Sequence, residues 1–264
     1  MTSGQKTRTD HKYGVKDKDW YWELVELEVE GHIFNVPKYH LIHGSERFAA
    51  AYGIRNKGKP STPDPAPDGE PPVPVVDLIG HDAPIPLVHV QLEEFRIFLS
   101  FLYPIKISFT IEYTKDEWIV ILKFASFWHF EDIKRMAMEE LESIRLSPPE
   151  KICLAKRFYI AEWLLDGYEE LIDNPQTMSM DVSEEIGHES AVRVFMCREN
   201  RQQYLREGRE YLKQVFAKEL EIIRQRSQLC PIYGDNLLHL QFKQDRAWVK
   251  KQECSEVKQE PGEN

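Results

Sequence analysis

The pattern of apolar and polar positions changes period three times along this chain. Over 24–30, Val25, Leu27 and Val29 alternate with Glu26, Glu28 and Glu30, the spacing of a strand with one wet face. Gly31 and His32 predict a tight turn, since glycine takes positive φ readily. Phe34 and Val36 then alternate with Asn35 on a second strand, which Pro37 ends because it has no N–H to donate. Over 39–53, YHLIHGSERFAAAYG, the spacing becomes helical. Tyr39 or Leu41, Phe48 and Tyr52 face a core, Gly44 weakens or divides the helix, and Ser45 suits the cap of a second segment. Residues 55–74 hold seven prolines with Gly58 and Gly69, a run that predicts a surface loop or disordered insertion. PVVDLIG, at 74–80, has the composition of a short strand.

From Leu87 onward the helical period dominates. Leu92, Phe95, Leu99 and Leu102 share one face until Pro104 stops the helix. Thr114 with Glu117 forms a capping box ahead of a face carrying Trp118, Ile121, Leu122, Ala125 and Trp128. His129–Asp132 interrupts, and Ile133, Met136, Ala137, Leu141 and Ile144 resume the spacing. Ser147 and Glu150 bracket Pro148, the signature of another helix start, with Leu154, Phe158 and Ile160 on its apolar side. WLLDGYEELI predicts a short helix ended by Asn174-Pro175, and Asp181 with Glu184 marks a further start. Residues 201–228 read as one long amphipathic helix bearing Leu205, Leu212, Val215, Phe216, Ile222 and Ile223. Its heptad fails at Gly208 and Glu219, against a long coiled coil. Residues 1–19 and the stretch past Trp248 are polar tails.

Of the 264 residues, 42% are hydrophobic and 11% aromatic, which is globular composition. The 44 Asp and Glu outnumber the 34 Lys and Arg, for a formal net charge of -10. That balance speaks against nucleic acid, whose binding rests on neutralising phosphates. MTSGQKTRTDHKYGVKDKD has no apolar h-region, and FRIFLSFLYPIKISFTI is too short and too interrupted to span a bilayer. The expectation is an intracellular protein, in cytoplasm or nucleus, with no membrane partner. The four cysteines, Cys153, Cys197, Cys230 and Cys254, form no C-x-x-C pair and read as reduced thiols.

Candidate chemistry is sparse. No nucleotide-binding glycine loop, H-E-x-x-H or G-x-S-x-G occurs in the sequence. His40, His43 and Glu46 form H-x-x-H-x-x-E, which places two imidazoles and a carboxylate at helical spacing and would suit a metal-dependent enzyme; packed or solvated histidines are the plainer reading. A zinc site from Cys197 or Cys230 with His188 or His239 fits no common spacing. Glu93-Glu94, Glu139-Glu140 and Glu169-Glu170 read as solvated helix faces. Trp20, Tyr21 and Trp22 read as packing against a neighbouring helix or subunit.

The order of parts is more informative than any motif. The segments FNVPKYHLIHGSERF (34–48), EEFRIFLSFLYP (93–104), TKDEWIVILKFASFWHFEDIKRMAMEEL (114–141) and SPPEKICLAKRFYIAEWLLDGYEELI (147–172), with EEIGHESAVRVFMCREN, resemble a BTB/POZ domain of the type abundant in fungi. The resemblance covers roughly residues 20–200. It implies an α+β chain: a BTB/POZ fold with a small, mainly N-terminal β-sheet flanked by helices over 20–147, interrupted by the 55–74 insertion. An all-α extension over 148–228 and an irregular tail over 229–264 follow. It also implies a histidine packed structurally at His40, no cofactor or metal, and a non-enzymatic protein–protein interaction module that homodimerises or scaffolds. Its dimer surface would hold Trp20, Trp22, Leu24, Phe48 and Tyr52, with the monomer's own core as the competing place for them. An adaptor role on a cullin-type ubiquitin ligase is the alternative, although LYPIKISFT lacks the hydrophobic-x-Glu pattern of cullin-binding relatives.

Overall fold

The computed structural model describes residues 17, 21–54, 84–104 and 112–228. The chain is α+β: a three-stranded sheet followed and flanked by helices. Strands β1 (Leu24–Val29) and β2 (His32–Pro37) pair antiparallel, with Leu27 opposite Phe34 and Val25 opposite Val36. The turn between them is Glu30-Gly31, both at positive φ (48° and 80°), so His32 opens β2 instead of sharing the turn. Two consecutive positive φ values match the right-handed twist of a hairpin, which is why a glycine sits there. The third strand, β3 (Ile85–Pro86), runs parallel to β1 on its other side. It lies downstream of the strand expected at 74–80, and those residues fall outside the described ones, as does the 55–74 insertion.

The helix at 38–53 is divided as its glycine suggests. Helix α1 (Lys38–Gly44) stops at Ser45, and α2 (Glu46–Ala51) starts there. The Ser45 hydroxyl accepts the Phe48 N–H at 3.0 Å and donates to the Trp128 carbonyl at 2.5 Å, so one buried side chain caps α2 and pins it beneath a later turn. Gly44 lies so close to Phe130 that a Cβ would meet the ring at 2.6 Å.

Helix α3 (Leu92–Leu102) buries Phe95, Phe98, Leu99 and Leu102. Helices α4 (Lys115–Phe127) and α5 (Glu131–Ser143) fold back on one another, α4 behind the reciprocal Thr114–Glu117 capping box. Met136 and Ile144, expected on the apolar side of α5, are exposed; Ala137 and Leu141 supply that side. Glu94 is not a solvated carboxylate: it holds the ammonium of Lys123, itself only 2% exposed, at 2.7 Å.

Helix α6 (Pro148–Phe158) begins at a second capping box, Ser147–Glu150, and packs along α7 (Ala161–Asp173). Gly167 makes that approach close, since a Cβ there would lie 2.6 Å from Ile152. Ser179, not Asp181, caps α8 (Met180–Ile186), and Gly187 separates it from α9 (His188–Glu199). The long helix expected over 201–228 is three: α10 (Arg201–Glu207), α11 (Arg209–Val215) and α12 (Ala217–Gln228). Gly208, at φ 58° and ψ −131°, turns the chain where a side chain with a Cβ rarely follows. Bending there lets Tyr211, Leu212 and Phe216 enter the core while Leu205 and Ile222 stay exposed. One contiguous apolar core runs from Val25 in β1 to Ile223 in α12.

Candidate interaction surface and its adjoining cleft

The hairpin's alternation sends Val25, Leu27 and Val29 inward and leaves Leu24, Glu26 and Ile33 on the outer side. The Lys38 N–H donates to the Glu23 carbonyl at 2.8 Å, carrying the pairing one residue past the strand. That bond sets Glu23 beside Lys38, the first residue of α1. Tyr21, Trp22, Leu24 and Tyr39 are each more than half exposed, with Trp22 at 52%. Large apolar side chains clustered in solvent are the usual sign of a surface meant to be covered.

Imidazoles extend this face. Tyr39 lies 4.5 Å from the His43 ring and 5.4 Å, edge-on, from His40. His40 in turn meets Tyr103 at 5.3 Å. Tyr103 donates its hydroxyl to the Pro37 carbonyl at 2.5 Å, tying the end of α3 to the end of β2, and burial pushes its pKa up. A salt bridge from Lys38 to Glu23 at 3.3 Å borders the patch.

The sequence-predicted surface residues separate. Trp22 and Leu24 lie on the face, and Trp20 is outside the described residues. Phe48 is fully buried, its ring 4.7 Å from Tyr52, 4.9 Å from Trp128 and 5.8 Å from Phe130. It belongs to the core because Ser45 turns α2 under the α4–α5 corner. Tyr52 is half-buried against it. Tyr39 was missed as a surface residue because it competes with Leu41 for one helical position, and Leu41 is the one buried. His40 is exposed, in edge contact with Tyr103 instead of packed in the core.

His43 also lines a cleft of about 500 Å3 with Gly44, Ser45, Glu46, Arg47, His129, Glu131, Asp132, Ser227 and Gln228. Arg47 spans it, donating to the Gln228 carbonyl at 3.0 Å and lying 3.4 Å from His129 Nε2. His129 sits at positive φ (55°), with Nδ1 3.6 Å from Glu131. His43 and Glu46 line this cleft and His40 does not. Among the described residues no group of three or more His, Cys, Asp or Glu is placed to hold a metal. Cys197 is buried and His188 exposed; Cys230 and His239 lie outside the described residues. Most of LYPIKISFT, at 105–110, lies outside them too.

A second set of polar side chains, unforeseen in the sequence, joins α6, α7, α9 and α12. Glu219 accepts hydrogen bonds from the Tyr168 hydroxyl and the Ser190 hydroxyl, each at 2.6 Å, and lies 3.4 Å from Arg193 and 3.7 Å from Lys156. Lys156 also donates to Ser190 and to the Ile186 carbonyl, both at 2.7 Å. Desolvation lowers the Lys156 pKa and raises that of Tyr168. Ser190 is 2% exposed, so this is a structural network and offers no nucleophile to a substrate.

Among the described residues no helix is long and apolar enough to cross a membrane. Compared with protein-family models, with curated proteins and with solved structures, the chain matches none.

Proposed function

We propose that the chain is a non-enzymatic protein–protein interaction module of the BTB/POZ kind, pairing with a second copy or another protein through the face of Tyr21, Trp22, Leu24 and Tyr39. The observation that carries this reading is the exposure of those four side chains beside a hairpin edge. The order of elements supports it: a hairpin, two short helices, a strand returning parallel to β1, a helix, then a helical pair. Interface centres favour aromatic residues, and truncating a central Trp typically costs about 2 kcal/mol or more of binding.

The test is light scattering on the full chain over a concentration series. A dimer whose dissociation constant rises about 30-fold on Trp22→Ala, the equivalent of about 2 kcal/mol, is expected. A monomer at every concentration would overturn self-association. A dimer indifferent to Trp22→Ala and Tyr39→Ala would overturn the assigned face.

A further inference from the structure

Among the described residues the sheet order β2-β1-β3 gives β2 a neighbour on one side only. Resting on the self-association read from the exposed face, we propose that β2 of a second copy pairs antiparallel along this open edge. The two-fold axis passes beside Phe34, and Ile33 of each chain faces the partner's Asn35, making one continuous sheet of the two.

The phase of the hairpin decides what the edge offers. The Lys38 N–H bonds the Glu23 carbonyl, so in this register the bonded pairs recur at Val25–Val36, Leu27–Phe34 and Val29–His32. Ile33, Asn35 and Pro37 therefore turn their backbone groups away from β1. The Glu28 carbonyl, opposite Ile33, keeps the same phase by accepting the Leu87 N–H on the β3 side. Pro37 has no N–H, and its carbonyl already accepts the Tyr103 hydroxyl. The usable edge is thus Ile33, 61% exposed, and Asn35, also exposed.

One two-fold register serves both residues. Facing Ile33 with the partner's Ile33 would set Asn35 against the partner's Gly31, which at φ 80° belongs to the turn. Facing Asn35 with the partner's Asn35 would set Ile33 against the partner's Pro37, whose groups are absent or taken. Facing Ile33 with the partner's Asn35 makes two N–H···O=C bonds in each of two symmetric pairs and sets the two Phe34 residues directly opposite. Charge favours a second copy as the occupant. HIFNVP carries no carboxylate or ammonium, so two chains of net charge -10 meet there without like charges opposite one another. Edges that stay single are commonly guarded by charged side chains, and this one has none. The same register sets the partner's Gly31 beside Pro37, which neighbours Leu24 in the hairpin, so the edge and the exposed face form one interface.

Proline at an outward-facing edge position removes the N–H offered to the partner and spares the ladder to β1. By symmetry Ile33→Pro or Asn35→Pro deletes two of the interchain bonds. Light scattering on the full chain is expected to show the dissociation constant raised about tenfold or more by either, with Ile33→Ala, which keeps the N–H, doing less. A dimer that Trp22→Ala weakens and neither proline does would keep the face and overturn the edge pairing. Absence of any dimer would overturn both. Should a proline variant lose its far-UV circular dichroism, a cross-link decides instead. Full chains carrying Ile33→Cys and, separately, Asn35→Cys are mixed in equal amounts with glutathione disulfide. The expected product joins unlike chains, position 33 to position 35, two thiols being oxidised and the glutathione disulfide reduced to two glutathiones. Cross-links at these positions only between like chains, or none under conditions where the dimer forms, would overturn the proposal.

Discussion

Phe98, in α3, meets Phe124, Trp128 and Phe130 at ring-centroid distances of 5.2, 5.5 and 5.5 Å. Glu219, in α12, meets two hydroxyls at 2.6 Å and two cationic groups at 3.4 and 3.7 Å. Both centres join helices distant in sequence, but they fail differently. Rings packed edge to face lose stability in proportion to the contact removed, since each contact is small and non-directional. Removing a shared carboxylate strips both hydroxyls of their acceptor at once, while Lys156 keeps the Ile186 carbonyl and Arg193 keeps Glu189. The N-terminal half can thus absorb conservative ring changes, whereas the helices after α5 add one shared carboxylate to their apolar packing.

The largest effect expected is on the ring side. Phe98→Ala should cost about 3–5 kcal/mol, the usual range for a buried aromatic truncation, read as a shift in urea midpoint at unchanged slope. A loss below about 1 kcal/mol would show that the rings are not what holds α3 to α4. Glu219→Gln should cost about 2–3 kcal/mol. That is less than breaking a fully buried pair, because the Lys156 side chain is 33% exposed. Tyr168→Phe added to that variant should then cost little, since its partner is already impaired; strict additivity would break the description of a shared centre. Gly44→Ala should cost about 1–2 kcal/mol, because the Phe130 ring must move and the surrounding rings resist it.

The smallest effect at neutral pH, growing with alkalinity, separates the halves. Burial pushes Cys197 from 9.0 up to about 11 and Cys153, beside Glu185, up to about 12. Tyr204, near Asp173, rises to about 12. For each, the unfolded chain loses its proton first and so binds fewer protons than the folded one. The stability they contribute is present below about pH 9 and falls as pH rises toward 11–12. All three lie after α5, so amide exchange there should rise with pH before that of α3–α5. Simultaneous opening would show that the halves unfold as a unit.

Local chemistry was legible in the sequence. Both capping boxes, the hairpin, the division at Gly44-Ser45 and the apolar face of α4 follow from residues a few positions apart. What depended on distant partners was not. Glu219 appeared only as a break in a heptad, and its partners Tyr168, Ser190, Arg193 and Lys156 lie 26–63 positions away, where no local spacing can reveal them. Gly208 was read as a flaw in one helix, although its backbone state makes it the joint between two. The face suffered likewise. In a six-residue helix such as α2, Phe48 has no run of periodic neighbours to indicate its side, and the buried Ser45 bond to Trp128 decides it.

Glu219 also has a consequence for the order in which the chain is made. Translation releases α6, α7 and α9 before α12, so Tyr168, Ser190 and Arg193 emerge while their acceptor is still to come. At roughly 5–20 residues per second, that interval lasts on the order of seconds. A chain cut short before position 219 would leave the Tyr168 and Ser190 hydroxyls without this acceptor, while Lys156 would keep the Ile186 carbonyl and Arg193 the Glu189 carboxylate. The carboxylate thus closes this centre only after every helix that it joins has been made.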